Sequence, residues 1–403
     1  MTMASLFDGI GGFPLAAVHN GIIPVWASEI ESFPIRVTKI RFPDMIHMGD
    51  ITKLDGAALP PVHVICGGSP CQDLSVAGLR KGLAGERSGL FIEQIRLVKE
   101  MRAEDEKNGR ADIFIRPRYM VWENVPGAFS SAYGEDFRTV LKEIIRIKTP
   151  ACYVPEPDTG RWGSVGAAIL GDQFSLAWRV LDAQYWGVPQ RRRRIFLVAD
   201  FGGITAPKIL FKQDGMLRDP APDEERPTAP RRTERGTADT GGSHVKEEVL
   251  VFHLNQRDEV IDLQGVSGAL LATSNMQMQT FVSKRRQLYD SHGIGARYTG
   301  PHTVAPTMTA TYGGGGNNVP LITEESEENM ASEVQKRLVR RLTPLECERL
   351  QGYPDGWTDI PKARDGARYK ALGNSVAIPC VDYIMHGIAY FLQKEVLEDG
   401  QND

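Results

Sequence analysis

Over the first two hundred residues or so, short apolar runs alternate with longer stretches whose apolar residues recur at helical spacing. That alternation predicts strands and helices in turn, as in a doubly wound α/β sheet. Val62-His63-Val64-Ile65-Cys66, Tyr119-Met120-Val121-Trp122 and Ile195-Phe196-Leu197-Val198 read as buried strands. Phe91, Ile95, Val98 and Met101 share one helical face, and Phe137, Val140, Leu141, Ile144 and Ile147 share another. From about 201 to 333 the periodicity weakens and Pro, Gly, Thr, Asn and Gln accumulate, favouring strands and loops over helices. Residues 219–242, rich in Pro and charge with almost no large apolar side chain, read as an exposed linker. Helical texture resumes near Arg340, and 374–392 reads as a strand or turn followed by a closing helix.

The chain has 403 residues, enough for two domains, and its 41% hydrophobic and 24% charged content is that of an ordinary globular protein. No apolar run approaches the ~20 residues of a spanning helix, and the N-terminus lacks a charged segment followed by an apolar core. No membrane association and a cytoplasmic location are therefore expected. The five cysteines are scattered without metal-type spacing, so free thiols are expected, with no disulfide framework and no metal site. A formal net charge of -4 argues against coating nucleic acid by bulk attraction. It averages over opposite patches, however: basic runs at 191–194, 284–286 and 337–341 against acidic runs at 223–225 and 324–328.

Strand ends carry the candidate chemistry. Gly67-Gly68-Ser69-Pro70-Cys71-Gln72 follows the second predicted strand and displays a thiol at its carboxyl end, where open α/β sheets bind ligands. On these residues alone, a nucleophile and a buried small hydrophobe fit equally. Glu123-Asn124-Val125-Pro126-Gly127 ends another strand and places a carboxylate on the same sheet edge. At the N-terminus, Phe7-Asp8-Gly9-Ile10-Gly11-Gly12 joins a strand to a helix through a glycine turn suited to close approach of a ligand. It departs from the dinucleotide fingerprint because Pro14 stands where a third glycine is needed. About 20 residues on, Glu29 stands where doubly wound nucleoside sites place an acid for ribose hydroxyls.

Pro70-Cys71-Gln72 and Glu123-Asn124-Val125, in this order, resemble the paired motifs of the cytosine-C5 DNA methyltransferases of bacterial or phage type. So do Gln190-Arg191-Arg192-Arg193-Arg194, the segment from Arg340 to Pro354, and Gly373-Asn374-Ser375 near the C-terminus. The resemblance implies an α/β fold: a doubly wound, Rossmann-like S-adenosylmethionine-dependent methyltransferase core with a second, smaller target-recognition domain. The expected divisions are a core over 1–204, the recognition domain and hinge over 205–365, and a C-terminal return to the core over 366–403. S-adenosyl-L-methionine is the implied cofactor and double-stranded DNA the implied partner. The protein is expected to be a prokaryotic or phage-encoded monomer with no obligate protein partner.

Residue by residue, the resemblance implies that Cys71 attacks C6 of cytosine and that Glu123 holds the ring at N3. Arg194 is expected near the cytosine carbonyl, and Arg192 near the cysteine and a phosphate. The donor site would draw on Phe7, Asp8, Gly9, Gly11, Gly12, Glu29, Ile30, Asp50, Ile51, Pro70, Asn374 and Ser375. Phe7 would lie against adenine, Glu29 on the ribose, and Asp50 with Ile51 around the base. Ser75 and Arg87, in a glycine-rich loop expected to close over the reacting base, are candidate phosphate contacts. Gln190 is a further DNA contact, and Thr309 and Asn317 are candidates for base readout. A tRNA cytosine-C5 methyltransferase would share this core, whereas a non-catalytic DNA-binding relative would be expected to lack Cys71, Glu123 or an arginine.

Overall fold

The computed structural model describes residues 1–69, 89–157, 159–211 and 342–394, the backbone of helix residues 395–399, and strand backbone at 252–254, 260–262, 287–291, 298–302, 320–324 and 338–341. The chain divides into two units. One comprises 1–182, 193–217 and 375–403, the other 183–192 and 218–374. The expected divisions at 204/205 and 365/366 compare with breaks at 182/183, 192/193, 217/218 and 374/375.

The first unit carries β1 (Thr2–Leu6), α1 (Gly12–His19), β2 (Ile23–Ser28), α2 (Ser32–Arg41), β3 (Ile46–His47), β4 (Val64–Gly67) and α3 (Leu90–Lys107). It continues with β5 (Tyr119–Asn124), α4 (Glu135–Ile145), β6 (Val165–Ile169), β7 (Ser175–Asp182), β8 (Arg193–Asp200), α5 (Ala206–Leu210) and a closing helix, Ile378–Asp399. In the second unit lie β9 (Phe252–Leu254), β10 (Val260–Asp262), β11 (Gln287–Ser291), β12 (Tyr298–His302), β13 (Pro320–Glu324) and β14 (Leu338–Arg341), followed by α6 (Pro344–Gln351) and α7 (Asp365–Asn374). The closing helix is therefore α8. Among the described residues no single helix is long and apolar enough to cross a membrane.

The eight strands of the first unit are ordered β3-β2-β1-β4-β5-β8-β7-β6. Pairing is parallel from β3 to β5 and antiparallel from β5 to β6. The chain winds outward from β1 through β2 to β3, then returns to lay β4 on the other side of β1. The crevice beyond the carboxyl ends of β1 and β4 is thus the switch point at which such sheets take ligands. Helices cover both faces. On one, Phe91, Ile95 and Val98 of α3 and Phe137, Val140 and Ile144 of α4 join Ile65, Met120, Trp122 and Leu197 in a single buried cluster. On the other, the Tyr119 hydroxyl meets Thr205 Oγ1 at 2.8 Å, while the Tyr383 hydroxyl of α8 donates to Leu210 O at 3.3 Å. At least some of the predicted helices therefore form for the predicted reason: α4 buries its i, i+3, i+4, i+7 face and opens on Glu135 and Asp136, which suit a helix N-terminus.

In the second unit, β12-β11-β13-β14 form a four-stranded antiparallel sheet, and β9 pairs with β10. Helix α6 is bounded by its sequence. Thr343 and Glu346 form a reciprocal capping box, Pro344 occupies the first turn, and Gly352 closes the helix at φ 82°.

One buried ion pair ties β5 to β8 beyond the ladder. Arg118 Nε lies 3.0 Å from Asp200 Oδ1, with side-chain exposures of 6% and 0%. Asp200 also accepts from Gly202 N, Thr205 N and Thr205 Oγ1. Replacing Arg118 with Met leaves this carboxylate buried without its counter-charge, so urea denaturation should show a loss of about 3–5 kcal/mol. Lys53→Met, which removes an exposed pair with Asp50, should leave the midpoint nearly unchanged.

Candidate active site

Three strand ends meet at the switch-point edge. The ladder aligns Leu6 with Gly67 and Gly67 with Trp122, so the residues following β1 and β4 and those ending β5 are neighbours. β5 secures the turn that follows β4. Trp122 Nε1 donates to Ser69 Oγ at 3.2 Å, and Asn124 Nδ2 donates to Ser69 O at 3.2 Å. Glu123, between them, pairs with Arg194 of β8 at 3.0 Å. Its carboxylate lies so close to Gly68 that a Cβ there would stand 2.8 Å from Glu123 Oε2. A side chain at 68 would push the end of the Glu123 side chain from this position.

Pro70, Cys71, Ser75 and Arg87 lie outside the described residues, as do Thr309 and Asn317. The structure holds Ser69 at the threshold of the Pro-Cys-Gln segment, with Glu123 beside it. Cys66, the strand cysteine, is fully buried, and burial pushes its thiol well above the usual range. Among the described residues no group of three His, Cys, Asp or Glu side chains is arranged to hold a metal.

The β1–α1 turn is built around Glu29. Its Oε2 accepts from Gly9 N at 2.8 Å, and its Oε1 accepts from Ile30 N at 2.7 Å and Glu31 N at 2.9 Å. A carboxylate held by three amides is fixed in direction. Phe7 and Gly9 both have positive φ, at 54° and 57°. Gly11 is doubly constrained, since its φ is 82° and an added Cβ would meet Phe42 Cε2 at 2.6 Å. Gly12 opens α1. Asp50 caps a short 3-10 turn through Thr52 N, and hydrogen bonds from Thr52 hold its carboxyl below the usual range. Ile30 is exposed, whereas Ile51 is buried in the sheet core.

The final predicted motif is divided between the units. Asn374 is an exposed residue at the end of α7 in the second unit, and Ser375 is buried in the first. The arginine run is divided too. Gln190, expected on DNA, is fully buried within the second unit, its Nε2 3.4 Å from Leu350 O. Arg192, expected near a phosphate, is 2% exposed and donates from Nη2 to Gly373 O at 3.0 Å. Both placements are those of supports inside a unit. Arg193 is exposed and Arg194 half-buried in the first unit.

Sequence reasoning assigned no role to Asn124, Trp122 or Gln94. Asn124 stood inside the quoted motif, but nothing in its type revealed that it grips the turn after β4. Gln94 is fully buried on α3 beside Gly67, with no hydrogen-bond partner for its amide among the described residues. Its signal was a polar residue one turn from Phe91 and Val98 on the buried face of α3.

A family model for C-5 cytosine-specific DNA methylases matches residues 1–389. A DNA N-6-adenine-methyltransferase of Escherichia phage P1 is 32% identical over 460 aligned residues, which cover 94% of this chain but 60% of that protein. The type II methyltransferase M.Bsp6I of a Bacillus species is 25% identical, with 96% of this chain and 98% of that one aligned. Among solved structures, the S. pombe Dnmt2 methyltransferase shares the fold at a TM-score of 0.53 and 16% identity, over 98% of this chain and 99% of that one.

Asp8 is the anomalous acid of the site. It is 5% exposed, and burial, reinforced by the charge of Glu29, pushes its carboxyl up to about 8; the Ser5 hydroxyl opposes the shift without forming an aligned hydrogen bond. Below about pH 4 the group is protonated whether the chain is folded or not. As pH rises, the unfolded chain ionises first, so folding loses stability until about pH 8, where the folded form ionises as well. Asp8→Asn cannot ionise. The melting temperature of the parent should therefore fall relative to that of Asp8→Asn between about pH 4 and pH 8, and a constant difference across that range would refute the assignment.

Proposed function

Because the chain belongs to the C-5 cytosine-specific DNA methylase family, we propose that it transfers a methyl group from S-adenosylmethionine to C5 of a cytosine rotated out of duplex DNA, through a transient bond between Cys71 and C6. The observation that carries this reading is the placement of Glu123. An acid held by Arg194 and laid against Gly68 stands beside the turn that leads into Cys71.

The chemistry needs that pair. C5 of cytosine is a weak nucleophile because its electrons belong to an aromatic ring. Attack by the Cys71 thiolate on C6 forms a carbon–sulfur bond and shifts the C5–C6 π pair toward C5, splitting one hard step into easier ones. Glu123 shares a proton with ring N3 and accepts from the N4 amino group, stabilising charge pushed into the ring, a contribution of about 10²–10⁴-fold. Arg194 orients Glu123 and is assigned the ring carbonyl. Once that pair has taken up the methyl group, the C5 proton passes to solvent, its bonding pair re-forms the C5–C6 double bond, and the carbon–sulfur bond breaks with its pair returning to sulfur. Arg192 and Gln190 act as positioning residues for this run, given their buried partners.

The residues at the switch point fit the methyl donor. Glu29, fixed by three amides, is directed for ribose hydroxyls, Gly11 lets the turn pack against Phe42, and among the described residues no cation contributes to the shift of buried Asp8. When bound, the donor supplies an electrophilic methyl on a sulfonium sulfur that leaves as a neutral thioether. A base inside a duplex cannot present C6 to a thiol, so the target must leave the stack. The second unit, with its antiparallel sheet, is assigned the sequence readout, and Thr309 and Asn317, which lie outside the described residues, are its candidate contacts.

The name of the phage P1 relative suggests a second reading, methylation of adenine N6. An exocyclic amine already carries its nucleophilic lone pair and needs no thiol adduct. The chain also spans 60% of that relative, so the named activity can reside in the remainder. Cytosine C5 is therefore the better-supported target.

Incubation with labelled donor and duplex DNA should place the label on 5-methylcytosine, and a duplex with 5-fluorocytosine at the target should trap a protein–DNA adduct. Cys71→Ser should abolish both while keeping DNA binding. Label on N6-methyladenine, or turnover of Cys71→Ser within tenfold of the parent, would overturn the reading. Glu123→Gln should lower the single-turnover rate by about 10²-fold or more with little change in DNA affinity. A loss confined to affinity would reduce Glu123 to a positioning residue.

A further inference from the structure

Asp8 stands at the tip of β1, between two residues of positive φ, where the chain turns into α1. Among the described residues, neither of its carboxyl oxygens has a hydrogen-bond partner. The groups around it offer little compensation beyond the Ser5 hydroxyl. Ser5 Oγ, on the same strand, is also unpartnered, and the ladder sets Ser5 beside the buried thiol of Cys66. Glu29, facing from the end of β2, adds negative charge, and its own carboxylate is already satisfied by backbone amides. Among the described residues no cation contributes to the shift of Asp8.

A buried acid without donors or counter-charge is costly in any empty fold, and it persists here at the edge where the sheet takes its ligand. We infer that Asp8 is the counter-charge for the cationic methionyl end of the methyl donor, and that it releases its proton to solvent as that cation arrives. The inference rests on the donor reading above and adds to it a named anchoring residue and a coupled proton. In the empty site the carboxyl is neutral. A positive charge within about 4–6 Å favours the carboxylate and lowers such a group by about 1–3 pH units. Starting from about 8, that shift carries it through neutrality, so between about half a proton and one proton leaves per donor bound near pH 7. No bond to the donor forms. The proton goes to buffer, and the ion pair replaces a neutral acid. The two carboxylates of the turn thus divide the work, one reading hydroxyls and the other reading charge.

Isothermal titration calorimetry of S-adenosylmethionine into the full chain at pH 7.2, in phosphate and in Tris, reads the proton directly. The observed enthalpy of the parent should vary with the buffer's ionisation enthalpy as for proton release. Asp8→Asn should lose at least half of that dependence and bind the donor more weakly. Titration of the donor's own amino group is common to both proteins and cancels in the comparison. Equal buffer dependence in parent and variant would overturn the proposal. Failure of the parent to bind the donor at all would strike the underlying donor reading instead. Should Asp8→Asn not fold, infrared difference spectra of the parent decide the question. The band of a protonated carboxyl should disappear on donor addition, and its persistence would overturn the inference.

Discussion

The parallel pairing of β4 with both β1 and β5 aligns three strand ends on one edge, and every candidate group of the first unit takes its place from that register. A slip of one residue would send each side chain to the opposite face. It would turn Ser5 away from the neighbourhood of Cys66 and separate Glu123 from Gly68. The hydrogen bonds from Trp122 and Asn124 to Ser69 reinforce the same register from the side of β5. Steric constraint and hydrogen bonding therefore select one arrangement. Gly68 admits the acid, and the indole and amide hold the turn against which the acid lies.

Within that frame, three acids are given three environments. Glu29 is held by backbone amides, Glu123 by the guanidinium of Arg194, and Asp8 by nothing but burial. Pairs of titratable groups pushed in opposite directions mark the assignment of acid, base and charge-reading roles. A carboxylate tied by amides is a rigid acceptor. One paired with arginine keeps its direction while remaining able to share a proton with a ring, and one buried without partners awaits a cation. Structural ion pairs such as Arg118–Asp200 show the contrast, since there both charges and the remaining oxygen valences are satisfied inside the fold.

Much of this was legible in the sequence, for identifiable reasons. The strands leading to Cys66, Trp122 and Val198 were visible as short apolar runs, and α3 and α4 as periodic faces, because burial imposes those patterns locally. Glu29 was legible from its distance to the glycine turn. The antiparallel extension beyond β8 was not, because β6 is a short run of mostly small residues, Val165–Ile169, that alternates between exposed and half-buried positions. Nor were the partners of Gln190 and Arg192, whose contacts with Leu350 and Gly373 join residues more than 150 positions apart. A basic run announces charge, and only the fold decides which of its members face a ligand. Asp8 was legible as a residue of the turn but not as a neutral acid, since its state follows from burial and from what fails to surround it.

The phage P1 relative is informative for the same physical reason. Sequence likeness over 94% of this chain reports a shared architecture, whereas the choice between a ring carbon and an exocyclic amine depends on a few groups at the strand ends. A carbon target requires a nucleophile to disrupt aromaticity and an acid to receive the displaced charge. An amine target requires acceptors for its protons and gains nothing from a thiol. The chain commits a glycine, an arginine and the side chains of Trp122 and Asn124 to fixing Glu123 and the turn that leads into Cys71. Under the proposed mechanism, addition to a pyrimidine ring uses both the acid and the thiol to which that turn leads, whereas methylation of an amine would use the acid alone.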